Sequence, residues 1–306
     1  MAPPTSVLLP TVEWTDACDE VAAQLRGDDE LLVVCDADDD PVANRESLPP
    51  GVRVVVAGEP AGCSGKANAV AAGMEARRHD RVVWTDDDFA HPDGWLAALH
   101  DDYAVHGPVS ELPFFVGRDP LSVLLEPTYA LGGTLGTYTG GKAWAGAVTF
   151  DADDVDEAAL CRDLRRTVSD DGLLSERLDV TPLRRVRRVA VGGSLPETLE
   201  RHARFSQIAF RHEPRGMTAG LAVSVAVALL CVLFPLPALV ATTAAAAALY
   251  AFFGVRRWTV LLAYPSAVVT PPLFLYGLAR RTFVWGGRRY RWRSLFDVDV
   301  VDGGVD

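Results

Sequence analysis

The chain of 306 residues is 49% hydrophobic, yet its net charge is −12 and its pI is near 5.0. That length fits one large domain or two ordinary ones, and the acidity excludes a nucleic-acid partner, because phosphate binding needs a basic face. The two properties coexist by segregation: most acids lie in residues 1–200, whereas residues 216–280 are nearly acid-free.

The opening run MAPPTSVLLP lacks a basic n-region and a long apolar core, so no signal peptide is expected. Short apolar runs at Ser6–Leu9, Leu31–Cys35, Val52–Ala57 and Arg81–Thr85 read as buried strands. Between them, Thr15–Arg26 and Lys66–Arg78 have helical spacing, with Thr15 able to cap the first and Gly27 to end it. Strand and helix alternating at this spacing predict an α/β fold, a mostly parallel sheet with flanking helices and right-handed crossovers. Pro92 marks the start of a helix carrying Trp95–Leu99. A glycine-rich stretch follows, from Gly132 to Gly146. It can approach a ligand closely or serve as a plain connection. Lys142 and Trp144 within it are candidates for an acceptor site.

Three apolar runs come next, at about 217–234, 238–255 and 259–279, each near the roughly 20 residues needed to cross a bilayer. Arg211 and Arg215 precede the first run and Arg256 and Arg257 follow the second, as expected for a hairpin that starts and ends in the cytoplasm. The third run poses a conflict. Crossing would carry Arg280, Arg281, Arg288 and Arg289 outside, while Pro265, Pro271 and Pro272 suit a re-entrant or interfacial element. Residues 197–212 form an amphipathic segment fit to lie on the membrane surface. The expected layout is a catalytic domain over 1–212, membrane segments over 213–280, and a basic then acidic tail over 281–306.

Cys18, Cys35, Cys63, Cys161 and Cys231 are odd in number, without a CxxC or a Cys/His cluster, which points to a reducing cytosol rather than disulfides or zinc. Lysine occurs only at Lys66 and Lys142. An Asp-rich, Lys-poor chain fits a high-salt cytoplasm or a GC-rich genome about equally.

Four motifs carry chemistry. Asp36-Ala37-Asp38-Asp39-Asp40-Pro41 follows the second strand. Lys66-Ala67-Asn68 opens a helix, whose N-terminus offers N–H groups and positive potential to an anion. Asp86-Asp87-Asp88 ends an apolar strand, at the sheet edge where open α/β folds bind ligands. Its carboxylates suit Mg²⁺ or Mn²⁺ shared with a diphosphate. Last come Ser169-Asp170-Asp171 and Arg201-His202-Ala203-Arg204-Phe205, just before the apolar runs. For Asp36 and Asp39 a solvated acidic loop is the better reading.

In this order, over about residues 5–212, the motifs resemble a membrane-bound, inverting glycosyltransferase of family 2 with a GT-A-type domain. Within that family the chain is most similar to the ceramide glucosyltransferase group. The resemblance implies that Asp40, or Asp38 in competition with it, binds the base or ribose of a nucleotide sugar, a UDP-sugar by expectation. It implies that Lys66 and Asn68 lie at the nucleotide sugar, Asp88 ligates the metal, and Asp86 faces the sugar or ribose and completes the metal site. Asp171 becomes the general base, beside Asp170 where the family has Glu. Arg201 and Arg204 match an arginine signature at the diphosphate, and Phe205 stands where Trp is usual. The implied activity is hexosyl transfer to a lipid-borne hydroxyl at the cytoplasmic face of the cell membrane. The alternatives are a polyprenyl-phosphate or polysaccharide-type enzyme of the same family, or a non-catalytic membrane-anchored scaffold.

Overall fold

The computed structural model describes residues 3–301. The last residues of the expected tail, 302–306, and the first two of the opening run lie outside the described residues. The chain forms two compact units, one of residues 1–112, 140–183 and 292–300, the other of residues 113–139, 184–291 and 301–306.

In the first unit, β1 (Thr5–Pro10), β2 (Glu30–Cys35), β3 (Val52–Val56) and β4 (Arg81–Thr85) are the expected strands. They pair in parallel in the order β3-β2-β1-β4. Next to β4, β6 (Ala147–Asp151) runs antiparallel, and β5 (Val109–Gly117) pairs antiparallel with β6. The last strand in the order is β7 (Thr181–Val191). A mostly parallel sheet with flanking helices is therefore observed. The glycine-rich stretch gave no sequence signal for β6, and β7 is too rich in arginine to read as a strand.

The helices of this unit begin and end differently from the sequence reading in three places. Helix α1 (Asp16–Ala22) stops short of Gly27. The Gln24 side chain donates to Glu20 O at 3.0 Å, taking the carbonyl that its own N–H would need to continue the helix. Thr15 is the N-cap residue but makes no side-chain cap bond. Helix α2 (Gly65–Ala76) is capped instead by Ser64, whose hydroxyl accepts from the Ala67 N–H at 3.1 Å. Helix α3 (Trp95–His106) starts after Gly94, and Pro92 belongs to the preceding turn, where its carbonyl accepts from Trp95 N–H.

Helix α2 packs on the sheet over Leu8, Val34 and Trp84. The approach is close at Gly73, where a Cβ would stand 2.7 Å from Leu8 Cδ2. Trp84 is fully buried, edge-on to Phe150 at 5.4 Å, and donates its indole N–H to Met74 Sδ. This packing holds the carboxyl ends of β2, β1 and β4 along one edge.

The second unit is mostly helical. Helix α4 (Pro120–Tyr129) leads into a π-helical turn at Ala130–Leu135 and then α5 (Gly136–Thr139). The remaining first-unit helices are α6 (Glu157–Leu164) and α7 (Asp170–Arg177); the second unit continues with α8 (Leu195–His212), α9 (Pro214–Leu233), α10 (Pro235–Phe252) and α11 (Ala263–Ala279), the last preceded by a 3-10 turn at Trp258–Leu262. Three of these segments, Pro214–Leu233, Pro235–Phe252 and Trp258–Ala279, are long and apolar enough to cross a membrane. Glu126 of α4 is fully buried and holds Arg257 by two hydrogen bonds, 2.8 and 2.7 Å, while Thr259 Oγ1 and Gly117 N–H donate to the same carboxylate. After α11 come β8 (Phe283–Trp285), β9 (Arg288–Ser294) and β10 (Asp297–Val301), a three-stranded sheet that the arginine-rich sequence did not announce.

Candidate functional site

The first unit gathers four ionisable side chains from three elements. Lys66, in the first turn of α2, places Nζ 2.6 Å from Asp86 Oδ1 and 3.1 Å from Asp170 Oδ2. Asp86 follows β4 directly, and Asp170 is the first residue of α7, a helix capped by Ser169 through Gly172 N–H. Asp171 stands next, its Oδ1 accepting from the Ala145 N–H at 2.5 Å. The Asp170 side chain is 3% exposed and that of Lys66 17%, so these charges meet in poor solvent.

The electrostatics follow from three carboxylates around one ammonium. Burial pushes Asp171 up, and the adjacent Asp170 carboxylate adds to it; Lys66 and the Ala145 N–H oppose, leaving the carboxyl at about 7. Burial likewise raises Asp86 against the attraction of Lys66, with Asp170 contributing. For Lys66, burial alone would lower the pKa, but Asp170, Asp86 and Asp171 together overcome it and hold the ammonium firmly charged.

The segment Trp144-Ala145-Gly146 joins the two acidic elements. Ala145 N–H reaches Asp171, while Gly146 O accepts from Thr85 Oγ1 at 3.0 Å and from Asp86 N–H at 3.3 Å. A Cβ on Gly146 would lie 2.3 Å from the Trp144 ring, so only glycine lets the chain turn there. Trp144 itself is buried against Phe89, ring centroids 5.2 Å apart. Sequence reasoning singled out this stretch for close approach but missed Ala145, because a backbone donor leaves no side-chain signature.

The other expected residues of this unit take varied positions. Asp40 uses Oδ2 to accept from the N–H groups of Asp36 and Ala37, at 2.9 and 2.8 Å, and so clamps its own loop. Asp38 is exposed on that loop, at the end of β2. Two strand spacings separate β2 from β4, about 10 Å. Asn68 is buried, donates to Gly58 O at 2.7 Å and accepts from Arg165 Nη1 at 2.7 Å, so both ends of its amide meet protein groups. Asp87 accepts from Thr11 Oγ1 at 2.6 Å, and Asp88 is exposed.

Asp86 and Asp88 offer only oxygen donors, the set that Mg²⁺ and Mn²⁺ favour. Among the described residues, no three His, Cys, Asp or Glu side chains group so as to hold a metal by themselves. Asp88 is exposed and one Asp86 oxygen already meets Lys66, so an ion held here would need diphosphate oxygens and water to complete its shell.

Arg201, Arg204 and Phe205 lie on α8, in the second unit. They build a stack of their own. The Arg201 guanidinium sits 4.9 Å from the Phe115 ring and 4.7 Å from Phe205; that of Arg204 sits 5.2 Å from Phe205 and 4.0 Å from Trp285. Trp285, from β8, was missed because it lies far along the chain from Arg204. Its indole ring is the face on which Arg204 stacks.

Residues 15–143 match the family described as Glycosyl transferase family 2, so the chain carries a glycosyltransferase domain of that kind. No curated protein matches the chain. Among solved structures it is similar to a mycobacterial protein at 20% identity and a TM-score of 0.37, covering 61% of this chain and 65% of that one. It is also similar to mannosyl-3-phosphoglycerate synthase from Rubrobacter xylanophilus, at 18% identity and a TM-score of 0.42, over 70% and 76% of the two chains. A third is glucosyl-3-phosphoglycerate synthase from Mycobacterium tuberculosis, in complex with Mn²⁺, UDP-glucose and phosphoglyceric acid. There the identity is 17% and the TM-score 0.40, over 69% and 80%. The chain spans 65% of the length of the first of these, and nothing about its own chemistry rests on likenesses this distant.

Proposed function

We propose that this glycosyl transferase family 2 domain moves a hexose from a UDP-sugar to a hydroxyl borne by a lipid, with inversion, at the cytoplasmic face of the cell membrane. The observation that carries the reading is Asp171: a carboxyl at about 7, beside Asp170 and oriented by the Ala145 N–H. A carboxylate with that affinity for protons can take one from an attacking hydroxyl near neutral pH.

The nucleotide is assigned to the carboxyl edge of β1, β2 and β4. Asp40 holds the loop in shape, and the base or ribose is assigned to Asp38, which is exposed on that loop. Asn68 ties α2 to the loop after β3 rather than reaching outward. Lys66 fixes Asp86 and Asp170 in place and contributes positive charge against the departing diphosphate. Mg²⁺ or Mn²⁺, when bound by Asp88 with Asp86, would neutralise that leaving group. Arg201 and Arg204, stiffened by the aromatic stack, are assigned to diphosphate or acceptor. The catalytic domain is assigned to 1–212 and the membrane segments to 213–280, the latter supported by three helices of spanning length.

A single displacement inverts the anomeric centre, so an α-linked UDP-hexose gives a β-linked glycolipid. The test incubates membranes containing the protein with UDP-hexoses and Mn²⁺, followed by lipid extraction and mass spectrometry. Wild-type protein should form a hexosyl lipid that folded Asp171→Asn protein forms about 10²–10⁴ times more slowly. An unchanged rate in Asp171→Asn overturns the base assignment. Product on polyprenyl phosphate alone overturns the hydroxyl acceptor, since an ionised phosphate needs no base.

A further inference from the structure

Ser175 lies four residues beyond Asp171 on α7, so the two side chains share one face of the helix, about 6 Å apart along its axis. Residues 143–146 run past that face. Their successive N–H groups go alternately to α7 and to β5. Ala143 N–H donates to Ser175 Oγ at 3.0 Å, Trp144 N–H to Ser110 Oγ at 2.8 Å, and Ala145 N–H to Asp171 Oδ1. Two residues of chain reach at most about 7 Å, which matches the separation of the two acceptors on α7. The side chains alternate as well. Ala143 and Ala145, 4% and 1% exposed, join the core cluster of Leu173 and Leu174, whereas Trp144 packs on Phe89. Bulkier side chains at 143 and 145 would hold the backbone away from the helix.

One hydroxyl holds both sides of this contact. Ser175 donates its single proton to Asp171 O at 2.7 Å and accepts from Ala143 N–H. A serine that bonds back to the carbonyl four residues earlier slightly destabilises its helix, and α7 has only eight residues. The bond to Ala143 gives the residue a use outside the helix. At the other end the segment is anchored to β4, through Gly146 O with Thr85 Oγ1 and Asp86 N–H. The charged groups facing Asp171 are Asp170 on its own helix, Lys66 on α2 and Asp86 after β4. Lys66 is engaged by Asp86 and Asp170, at 2.6 and 3.1 Å, so the bond that orients the Asp171 carboxylate is the one from Ala145.

We infer that Ser175 is a positioning residue for the general base: its hydroxyl locks residues 143–145 against α7, so that Ala145 N–H occupies Asp171 Oδ1 and Oδ2 is the oxygen that takes the acceptor's proton. The role rests on Asp171 being the base, as proposed above. In that step the acceptor oxygen bonds the anomeric carbon, its proton passes to Oδ2, and the electron pair of the broken C–O bond leaves on UDP. A carboxylate free to turn would present either oxygen, and the fraction of productive encounters would fall.

The test measures hexosyl-lipid formation from UDP-hexose by membranes containing the full chain, for Ser175→Ala in the parent and in the Asp171→Asn background. In the parent, Ser175→Ala should lower kcat about 10-fold and leave KM for UDP-hexose unchanged, because a misoriented base slows chemistry without touching the donor site. The kcat/KM profile should move to higher pH, since the Ala145 N–H stabilises the charged carboxylate. Ser175→Thr keeps the hydroxyl and should restore both. In the Asp171→Asn background, where no base remains to be oriented, adding Ser175→Ala should leave the rate nearly unchanged, a non-additivity that a merely structural role does not produce. Should Ser175→Ala not accumulate, Ser175→Cys, close to serine in size but a weak donor and acceptor, makes the same comparison. Equal fold losses in the two backgrounds, or a parent-like rate and pH profile in Ser175→Ala, would overturn the positioning role. A wild-type rate in Asp171→Asn would remove the base itself and the role with it, a result distinct from the other two.

Discussion

Each unit buries a cluster of charge, and the two clusters are built on opposite principles. Around Glu126 the balance is even: one carboxylate, one guanidinium in bidentate contact, and a hydroxyl and a backbone N–H for the remaining lone pairs. Around Lys66 it is uneven: Asp86, Asp170 and Asp171 share one ammonium. A satisfied pair has nothing left to give and acts as a clamp. A cluster with surplus negative charge must take up a proton or a cation, and that unmet demand is what a catalytic site needs. Burial is common to both, so charge balance is what distinguishes the structural cluster from the one proposed as catalytic.

Substitutions can break or sharpen that contrast. The largest effect is expected from Asp171→Asn, with turnover down about 10³-fold and the fold retained, read by the proposed hexosyl transfer alongside circular dichroism. Next, Glu126→Gln should cost about 3–5 kcal/mol of stability by stranding Arg257, seen as a lower denaturant midpoint. If the contrast holds, turnover per folded molecule stays near wild type. Lys66→Met should cost less stability, about 1–3 kcal/mol, because the carboxylates it leaves can protonate. Its signature is a further rise of the Asp171 pKa, so kcat/KM should turn on at higher pH than in the parent. In the parent, kcat/KM should climb through about pH 7 as Asp171 ionises.

The smallest effect is thermodynamic. A carboxyl at about 7 in the folded chain and near its ordinary value when unfolded binds more protons in the native state between those pH values, so stability is lost as pH rises through that window. Asp171→Asn keeps an acceptor for Ala145 and removes the charge. Its Tm at pH 8 should exceed the parent's, with the difference shrinking as pH falls toward 4. A lower Tm at pH 8 would mean that Asp171 is a structural partner like Glu126.

Much of this was legible from residues alone. Apolar runs of five or six residues ending in aspartates gave β2 and β4 and put Asp38, Asp40, Asp86 and Asp88 at their carboxyl ends, because strand alternation and chain connectivity are local properties. Runs of some twenty apolar residues gave α9 and α10 for the same reason. Lys66, Asp170 and Asp171 were identifiable as candidates, but not as neighbours: they come together only when α2 and α7 pack on the same core.

Tertiary structure alone decided the rest. Ala145 became a partner of Asp171 through its backbone, to which its side chain gives no clue. Of two candidates for the nucleotide, Asn68 spends its amide on Gly58 and Arg165, and Asp40 its carboxylate on its own loop. Trp285 reached Arg204, and Arg257, read from the sequence as a topological charge, became the counterion of Glu126, 131 positions away. Pairings across such distances depend on how helices pack, and packing is set by the summed shape of many side chains rather than by any one segment.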